Sequence, residues 1–474
     1  METRRDTPVF LMSLPIEVQT IVAKQLSDRR DLRALTLVNR HFATISQPLL
    51  FKEVDVGWNP KEPSPLTLVT RTLLDRPDLA ASVKSLRLDG YEFPEREPEV
   101  ISTISVTGLN MIKAAGIING TGADFADLWA QGVSDGEVDA LVALLVLTVP
   151  NIRDIYLGTD FCIEVIFLTL MLDRREQSKP NVNLPALKHL TKVTMENHYA
   201  DLFQEGINFN DGVLNFFNLP QLENLSIAIS PIAAQPWRPD ERFQIMANLT
   251  FLHLLRASEE QLGAILSLTP RVVHLKWSGY WCPKEEYPEV LRTTIDLDKL
   301  RTALSKRRRS LQYLTLEVVD DTTTVVDFIW PMKLTGTPLW LTDFTNLVRL
   351  IIPWVLLMGW CPQDSRPLID KLPTNLVSLT LTDDLCYQKY WRWTKEEVQD
   401  LVRDFVVEHL NAPTTYLRKI SLAGAIFDDQ WTPKERKFAQ TVCRKAGIKF
   451  KIHPTTPWED EKDAAVKERK RRYG

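Results

Sequence analysis

The sequence contains few cysteines, and none of them lie close together. Five cysteines stand at positions 162, 282, 361, 386 and 443 of the 474 residues, and no pair has the spacing of a CxxC motif. The odd number and the wide spacing argue against a disulfide framework and against a zinc site built from cysteine pairs. We therefore expect buried thiols in a reducing compartment, which is the cytoplasm, the nucleus or both.

Long apolar segments and an excess of basic charge are also missing. The most apolar windows, residues 141–149 and 350–360, are too short to cross a membrane, and the start, METRRDTPVFLMSLP, lacks the apolar core of a signal peptide. Lysine and arginine total 57 against 61 acidic residues, for a net charge of −4. This balance argues against broad electrostatic binding, so neither nucleic acid nor a membrane is an expected partner.

Motifs that carry enzyme chemistry are scarce as well. The chain has no GxSxG, no HExxH and no P-loop, and its seven histidines lack a metal-ligand spacing. The segment GIINGTGADF, which begins at Gly116, has a G-x-G without the third glycine and is interpreted as a loop rather than a phosphate site. The sequence therefore predicts no catalytic residues, no metal and no cofactor.

Three short helices are predicted near the amino terminus. Pro15 opens the first, whose apolar residues recur at spacings of three and four and therefore share one face: Val18, Ile21, Val22 and Leu26. Ser27 or Asp28 is the candidate N-cap of the second helix, and Asn39 is the candidate N-cap of the third. Pro48 is expected to end the third helix.

This helical segment has more large apolar residues than three short helices can bury. They lie at or between the helix ends: Leu14, Pro15, Ile16, Leu37, Leu49, Leu50 and Phe51. An exposed surplus of this kind indicates a docking face for another protein. The alternative is that these residues pack on the rest of the same chain, and the pattern alone leaves both open.

The same segment resembles the F-box family in the order and spacing of its residues. The correspondence runs through a Leu-Pro pair followed by an acid and apolar positions, an Asp-Leu pair, a Leu-Val-x-Arg segment and a closing Pro-Leu-Leu-Phe: Leu14, Pro15, Glu17, Val18, Val22, Leu26, Asp31, Leu32, Leu37, Val38, Arg40, Pro48, Leu49, Leu50 and Phe51. Two positions depart from the family, since Asn39 and Phe42 stand where many members have Cys and Trp. The resemblance implies docking on a Skp-type adaptor, and through it on a cullin, by eight residues: Leu14, Pro15, Val18, Leu37, Val38, Phe42, Leu50 and Phe51.

Farther along the chain, one short apolar pattern recurs ten times. It reads apolar, two residues, apolar, one residue, apolar, and its copies are VKSLRL, IRDIYL, LTKVTM, LENLSI, LTFLHL, VVHLKW, LQYLTL, LVRLII, LVSLTL and LRKISL. The alternation at the end of each run predicts a strand with one buried face. The runs end 23 to 41 residues apart, with one gap of 69, and repetition at that period is typical of a solenoid.

Predicted helices alternate with these strands, and four of them have capping-box signals: Ser134 with Glu137, Ser258 with Gln261, Thr394 with Glu397, and Thr432 with Glu435. The alternation resembles an irregular leucine-rich-repeat domain, although the family's Asn after each run is mostly missing. The predicted fold class is therefore α/β: a short three-helix F-box followed by a leucine-rich-repeat-like α/β solenoid, as in fungal-type F-box proteins. A doubly wound sheet is the alternative.

These patterns divide the chain into four segments: an F-box at 11–56, a linker and first helix at 57–82, the repeat domain at 83–455 and a charged tail at 456–474. The linker carries three prolines, which make it stiff. The tail ends in a basic cluster and is interpreted as a disordered charged segment, with a nuclear import signal as the alternative.

Aromatic and acidic residues near the strand ends are candidates for holding a target protein. Aromatic side chains supply much of the binding energy at interfaces, although filling the core is their alternative role. Paired acids after the strands would line a rim with negative charge, or cap loops in solvent. The candidates are Trp277, Trp281, Trp354, Trp391, Trp393, Asp383 and Asp384, and the histidines expected to point outward from strands are His253 and His274.

The two resemblances together imply a non-enzymatic substrate receptor of a Skp–cullin–F-box ubiquitin ligase. The F-box would dock on the adaptor, the repeats would bind an unknown target protein, and a separate enzyme brought close to the target would transfer ubiquitin. A protein–protein interaction scaffold that delivers no substrate is the alternative. An enzyme built on an α/β sheet is a third hypothesis, for which no catalytic constellation is found.

Overall fold

The protein is mixed α/β and divides into two compact units. In the computed structural model, the described residues are 11–26, 28–57, 64–90, 103–162, 165–173, 177–195, 211–229, 245–281, 294–320, 332–411 and 416–473. The amino-terminal unit contains Met1–Cys162 and Ile166–Thr191, and the carboxy-terminal unit contains Ile163–Val165 and Lys192–Gly474. None of the helices in the described ranges combines the length and the apolarity that a membrane crossing requires.

The amino-terminal unit begins with a single 3-10 turn, Leu11–Ser13, and three short helices: α1 (Ile16–Lys24), α2 (Arg29–Val38) and α3 (Arg40–Leu50). Three parallel strands follow in the order β1-β2-β3: β1 (Glu53–Gly57), β2 (Ser85–Asp89) and β3 (Asp154–Leu157). The unit is completed by a second 3-10 turn and by further helices: Thr159–Phe161, Pro65–Asp75, Pro77–Ala80, Met111–Asn119, Ala126–Asp135, Val138–Thr148 and Ile166–Met171.

The predicted caps of α2 and α3 are confirmed, but the predicted end of α3 is wrong. Asp28 accepts a hydrogen bond from the Arg30 N–H at 2.7 Å, and Asn39 accepts one from the Phe42 N–H at 2.9 Å. Pro48 lies inside α3, which continues to Leu50. Only the last turn follows the proline, so the helix loses one backbone hydrogen bond near its end and the final residues still pack as helix.

The predicted capping box of Ser134 with Glu137 is also wrong. Ser134 lies inside the helix Ala126–Asp135, which ends at Gly136 with a φ of 78°. Glu137 precedes the next helix as its N-cap, without a side-chain cap hydrogen bond. A glycine with positive φ is a common helix stop, so one helix ends and another begins where the pattern indicated a single start.

The carboxy-terminal unit is built on a parallel sheet whose nine strands follow one another in chain order. These nine strands are β4 (Lys192–Met195), β5 (Asn224–Ala228), β6 (Phe251–Leu255), β7 (His274–Trp281), β9 (Tyr313–Asp320), β11 (Arg349–Pro353), β12 (Ser378–Thr382), β13 (Lys419–Ala423) and β14 (Lys449–His453). Two further strands, β8 (Thr294–Asp296) and β10 (Lys333–Thr335), form a separate parallel pair. Each of the ten predicted runs ends in a strand of one unit or the other, as the sequence predicts. The pair β8 and β10 has no counterpart among the predicted runs.

The helices and 3-10 segments of this unit connect the strands: Asp211–Asn218, Glu259–Leu268, Leu297–Ser305, Trp354–Met358, Pro362–Asp364, Leu368–Lys371, Lys395–Asn411, Ala425–Gln430, Pro433–Lys445 and Pro457–Tyr473. The last of these corrects the prediction of a disordered tail. Thr456 stabilises its start, because its N–H and hydroxyl both donate to the Glu459 carboxylate, at 2.6 and 2.8 Å. The predicted capping boxes at Ser258, Thr394 and Thr432 are confirmed.

The two faces of the sheet differ in chemistry because side chains alternate along a strand. One face carries a row of apolar residues across seven neighbouring strands, all exposed by 4% or less: Leu252, Leu275, Leu314, Leu350, Leu379, Ile420 and Phe450. The other face, which we call the polar face, carries mostly serine, threonine, histidine, lysine and arginine at the alternate positions.

Candidate functional site

Helix α1 exposes apolar residues and buries a polar one. Gln19 and Ala23 are its buried residues, whereas Val18, Ile21 and Val22 are 39%, 57% and 41% exposed. These three share a face because residues three and four apart are neighbours on a helix. A surface helix normally turns its apolar stripe toward the core. The exposed stripe is therefore a candidate contact for another molecule.

Hydrogen bonds of Gln19 explain why this polar side chain is buried. Its Nε2 donates to the Leu14 carbonyl at 2.7 Å, and its Oε1 lies 2.6 Å from His41 Nε2. Gln19 thus links the turn before α1 to α3, and buried polar groups are tolerated when such bonds replace those to water. The two bonds hold α1 in a rotation that turns Val18 and Val22 outward.

Phe42 lies in a small core between the helices and is only 6% exposed. It packs with two other buried residues and three partly buried ones: Ala23, Ile45, Leu11, Leu35 and Leu49. The sequence predicted a direct adaptor contact for Phe42. In this structure its ring is enclosed by the helical segment and supports the helices from inside.

The end of α2 carries the most exposed apolar residues of the helical segment. Leu37 is 77% exposed and Val38 is 62% exposed. Asn39, the next residue, lies near the first turn, since its Nδ2 is 3.7 Å from Met12 Sδ. We define the apolar surface as the exposed large apolar residues of this segment, each exposed by 39% or more: Met12, Ile16, Val18, Ile21, Val22, Leu37 and Val38.

Of the remaining four predicted adaptor residues, one is exposed and three are half-buried. Pro15 is exposed, and Leu14 is half-buried. Leu50 and Phe51 are half-buried as well and line a cavity of about 360 Å³ together with Arg29, Arg30, Arg33, Glu53, Val54, Asp55 and Val69. The helical segment therefore does not seal these residues inside its own core.

Four residues of the apolar surface are absent from the predicted contact set: Met12, Ile16, Ile21 and Val22. The spacing of three and four on α1 does place Ile21 and Val22 beside Val18. Periodicity shows that residues share a face but not whether that face is inward. The inward face of α1 is identified only when the hydrogen bonds of Gln19 to Leu14 and His41 are known.

A second candidate site is a polar network on the polar face of the carboxy-terminal sheet. The Ser226 hydroxyl lies 2.9 Å from His253 Nδ1, and His253 Nε2 lies 3.2 Å from the Ser278 hydroxyl. Ser278 donates to Glu317 at 2.7 Å. These residues come from β5, β6, β7 and β9, so the network crosses four neighbouring strands. His253 points to this face, as the sequence predicts.

Lys276 joins this network to the helix Pro457–Tyr473. Its Nζ lies 3.5 Å from a Glu317 oxygen and 2.8 Å from a Glu461 oxygen. Burial acts to lower the pKa of Lys276, but the two carboxylates outweigh it and the pKa is raised. Burial raises the pKa of Glu317, which Lys276 and Ser278 oppose. The network therefore holds a half-buried ammonium between two acids.

The structure corrects the predicted role of most of the tryptophans. Trp277 and Trp354 are fully buried and Trp393 is 5% exposed. The indole N–H of Trp277 donates to Ala257 O at 2.9 Å, and the rings of Trp354 and Trp393 lie 5.2 Å apart, edge to face. They fill the core, which is the alternative role. Trp391 is half-buried, and the side chain of Trp281 lies outside the described side chains.

Asp383 and Asp384 do not line an exposed rim, since they are only 9% and 8% exposed. Asp383 accepts a hydrogen bond from the Ile426 N–H, and Asp384 accepts one from the Val318 N–H, both at 2.9 Å. Burial raises the pKa of Asp383 to about 6 and that of Asp384 well above its usual value. Both acids therefore tie neighbouring segments together.

Three of the four described thiols are buried, and the fourth, Cys361, is half-buried. The buried thiols are Cys162, Cys386 and Cys443. Burial raises the pKa of Cys443 to about 11 and that of Cys386 well above the ordinary thiol value, so the thiolate nucleophile is disfavoured. Within the described ranges, no cluster of three histidine, cysteine or acidic side chains has the arrangement of a metal site.

Comparison with protein-family models gives no match, and comparison with curated proteins gives no match either.

Proposed function

We propose that this chain is a substrate-receptor subunit of a Skp–cullin–F-box type ubiquitin ligase, working in the cytoplasm, the nucleus or both. The observation that carries the proposal is the orientation of α1, which buries Gln19 and exposes Val18, Ile21 and Val22. An apolar stripe that faces water contributes no burial to folding, whereas a partner that covers it removes apolar surface from water and gains binding free energy. The F-box resemblance implies that this partner is a Skp-type adaptor.

The exposure of the predicted adaptor residues supports the same docking surface. Pro15, Val18, Leu37 and Val38 are exposed, and they lie on α1, on the turn before it and at the end of α2. Helices α2 and α3 begin at the predicted caps, so the order of features agrees with the F-box resemblance. Phe42 is assigned a supporting role in this proposal.

The carboxy-terminal unit and its repeated strands are proposed to form the leucine-rich-repeat-like part of the receptor. The nine main strands follow chain order, whereas a doubly wound sheet reverses its order at a switch point. The residue that opens each of the ten runs is buried even though it precedes its strand, with an exposure of 3% or less: Val83, Ile152, Leu190, Leu222, Leu249, Val272, Leu311, Leu347, Leu376 and Leu417. Stacked repeats require a buried residue at the same position in each repeat, and the ten runs have one.

In this proposal the chain performs no chemistry of its own. Its two surfaces hold an adaptor and a target, and a separate ubiquitin-conjugating enzyme reacts because the target is held close to it. The target protein is unknown, and no cofactor is required.

Binding of a purified Skp-type adaptor to the full-length chain tests the proposal. We expect Ile21→Lys and Leu37→Lys each to weaken binding by tenfold or more, because each places a charge where an apolar contact is proposed. Both side chains are more than half exposed, so the folded chain should lose no more than about 0.5 kcal/mol of stability. Calorimetry gives the affinity, and thermal unfolding verifies the fold.

Ile112→Lys is the matched control. Ile112 is 89% exposed on the helix Met111–Asn119 of the same unit and lies outside the apolar surface. Its substitution should leave adaptor binding unchanged. Equal loss of binding in all three variants, or no loss in the first two, would contradict docking through α1 and α2.

Delivery of a substrate needs a separate test. With the adaptor bound, co-precipitation of a cullin and stabilisation of co-purifying proteins after proteasome inhibition are the expected results. A complex that contains the adaptor while its bound partners turn over at the same rate with and without the chain would favour the scaffold alternative.

A further inference from the structure

Four basic residues of the polar face gather on one side of the carboxy-terminal sheet. One cross-strand row runs from Lys276 on β7 to Lys451 on β14, through Thr315, Ile351, Thr380 and Ser421. The neighbouring row carries Arg349, Ser378, Lys419 and Lys449 on β11 to β14. The two rows share a face because their residues are two apart along each strand. We call Arg349, Lys419, Lys449 and Lys451 the basic cluster.

The charges of the basic cluster are not neutralised by the residues that the structure describes, among which none of the four has an ion-pair partner. Burial lowers the pKa of Lys419, and the positive charges of Arg349, Lys451 and Lys449 lower it further. The pKa of His453 is also lowered, by burial and then by Lys419 and Lys451, against the opposing effect of Asp460. Mutual repulsion of this kind is relieved when an anion binds.

One acidic segment already lies against this face. The helix Pro457–Tyr473 carries Glu459, Asp460 and Glu461 in its first turns, and Glu461 binds Lys276 at 2.8 Å. Asp460 is held by the Thr455 hydroxyl at 2.6 Å. The chain thus places its own acidic turn beside the basic cluster while leaving the cluster itself unpaired among the described residues.

We propose that the polar face binds an acidic peptide segment of a partner protein at the basic cluster, and that the helix Pro457–Tyr473 competes with this segment through Glu461. The inference rests on the proposed function in one respect, since it takes the partner protein to be the target of the proposed receptor. Adaptor docking takes no part in the test below, so failure of one proposal is distinguishable from failure of the other.

The dimensions of the cluster fit a short peptide. Strands β11 to β14 are three steps apart, or about 14 Å at 4.8 Å a step, and about four extended residues span that distance. Ser378 is half-buried, lies between Arg349 and Lys419 in their cross-strand row, and offers a hydroxyl for a hydrogen bond. The face also contains Glu317, and the chain as a whole is acidic with a net charge of −4. Nucleic acid, which requires many phosphate contacts, is therefore the weaker candidate.

The test measures binding of a fluorescein-labelled peptide of eight glutamates to the purified full-length chain by fluorescence anisotropy. We expect Arg349→Glu with Lys449→Glu to weaken binding by tenfold or more, because two attractive charges become repulsive. Glu461→Gln should strengthen binding by about threefold to tenfold, since it removes the competing ion pair with Lys276. Both effects should shrink as salt is added.

Lys437→Glu is the matched charge control, because Lys437 is exposed on the helix Pro433–Lys445 and lies outside the polar face. It should leave peptide binding within twofold of the unmodified chain. Arg349 and Lys449 are exposed, so the double variant should fold, and Lys451→Glu is a second exposed substitution with the same expected direction.

Three results would overturn the inference. The first is unchanged glutamate-peptide binding in the double variant and in Lys451→Glu. The second is unchanged or weaker binding in Glu461→Gln, which would remove the competing role of the helix. The third is equally tight binding of a labelled lysine peptide or of a single-stranded DNA oligonucleotide, which would show that the face does not select an acidic peptide.

Discussion

Two helices with the same number of apolar residues bury them in opposite ways. Helix α1 and the helix Glu259–Leu268 each contain five residues that are alanine, valine, isoleucine or leucine. Glu259–Leu268 buries Leu262, Ile265 and Leu266 completely. Helix α1 exposes Ile16, Val18, Ile21 and Val22 by 39% or more, and buries Gln19 instead.

The difference lies in what orients each helix. Glu259–Leu268 is held by its apolar stripe, so rotating it would expose that stripe to water. Helix α1 is held by Gln19, which bonds to the turn before the helix and to His41. A polar anchor on the inner side leaves the apolar side available. Apolar content therefore indicates an interface only when the anchoring residues are also known.

The largest expected effect follows from Phe42→Ala. Removing this buried ring should destabilise the helical segment by about 3–5 kcal/mol, because it leaves a cavity in a very small core. Hydrogen exchange of residues 11–51 should lose its protection. Leu37→Ala, at a 77% exposed position, should leave exchange unchanged. Equal protection in both variants would contradict the role of Phe42 as the core residue that supports the helical segment.

The next prediction addresses the two helices directly. Ile265→Ala should cost about 2–5 kcal/mol of unfolding free energy, since the side chain is fully buried. Val22→Ala should change stability by less than about 0.5 kcal/mol. Denaturant unfolding, followed separately for each unit, measures both. A large cost of Val22→Ala would show that the stripe on α1 packs within its own chain, which contradicts the docking proposal.

The stability of the chain is expected to depend on pH through Asp383, which, like Gln19, is a buried polar residue with hydrogen-bond partners. Burial raises its pKa to about 6 in the folded chain, against an ordinary carboxyl value of 3.8. Because the folded-state pKa is raised, the protonated form is favoured, and the stability contribution falls as pH rises from about 4 to 6. The loss amounts to at most about 3 kcal/mol, at 1.36 kcal/mol for each pKa unit.

Asp383→Asn removes this titration while keeping an acceptor for the Ile426 N–H. Its stability relative to the unmodified chain should therefore increase between pH 4 and pH 7, as measured by denaturant unfolding at fixed ionic strength. A difference that stays constant over this range would show that the carboxyl group is not penalised by burial.

The smallest expected effect concerns helix caps. Ser258→Ala should cost about 1 kcal/mol, within a range of about 0.5–2, since the Ser258 hydroxyl accepts from the Gln261 N–H at 3.1 Å. Ser64→Ala is the matched control, because Ser64 precedes the helix Pro65–Asp75 without a side-chain cap hydrogen bond. If both substitutions cost the same in thermal unfolding, the capping box contributes nothing beyond the serine itself.

Local features of the fold could be predicted from the sequence because they depend on neighbouring residues. The ten runs became strands since alternation is a property of the strand itself, and Asp28, Asn39, Ser258 and Thr432 became caps since their acceptors reach only two or three residues ahead. The predictions that Pro48 ends α3 and that Ser134 caps a helix were wrong because a local signal is not always decisive. Each residue carries a local signal that the neighbouring helical turn or glycine overrides.

The candidate sites could be predicted only in part. Leu37 and Val38 are exposed as expected, but the burial of Phe42, Trp277 and Asp383 depends on partners distant in sequence. The contact between Lys276 and Glu461, which joins residues 185 positions apart, left no local pattern to detect.

The sequence by itself therefore determined where the ten repeated strands and most of the capped helices begin, that strands and helices alternate, and that a surplus of apolar residues stands near the amino terminus. Only the tertiary structure decided which apolar residues remain exposed, which acids are buried, and that the helix Pro457–Tyr473 lies against the polar face. The physical reason is that periodicity assigns residues to a face of an element, whereas burial and ion pairing depend on what other elements are brought to that face.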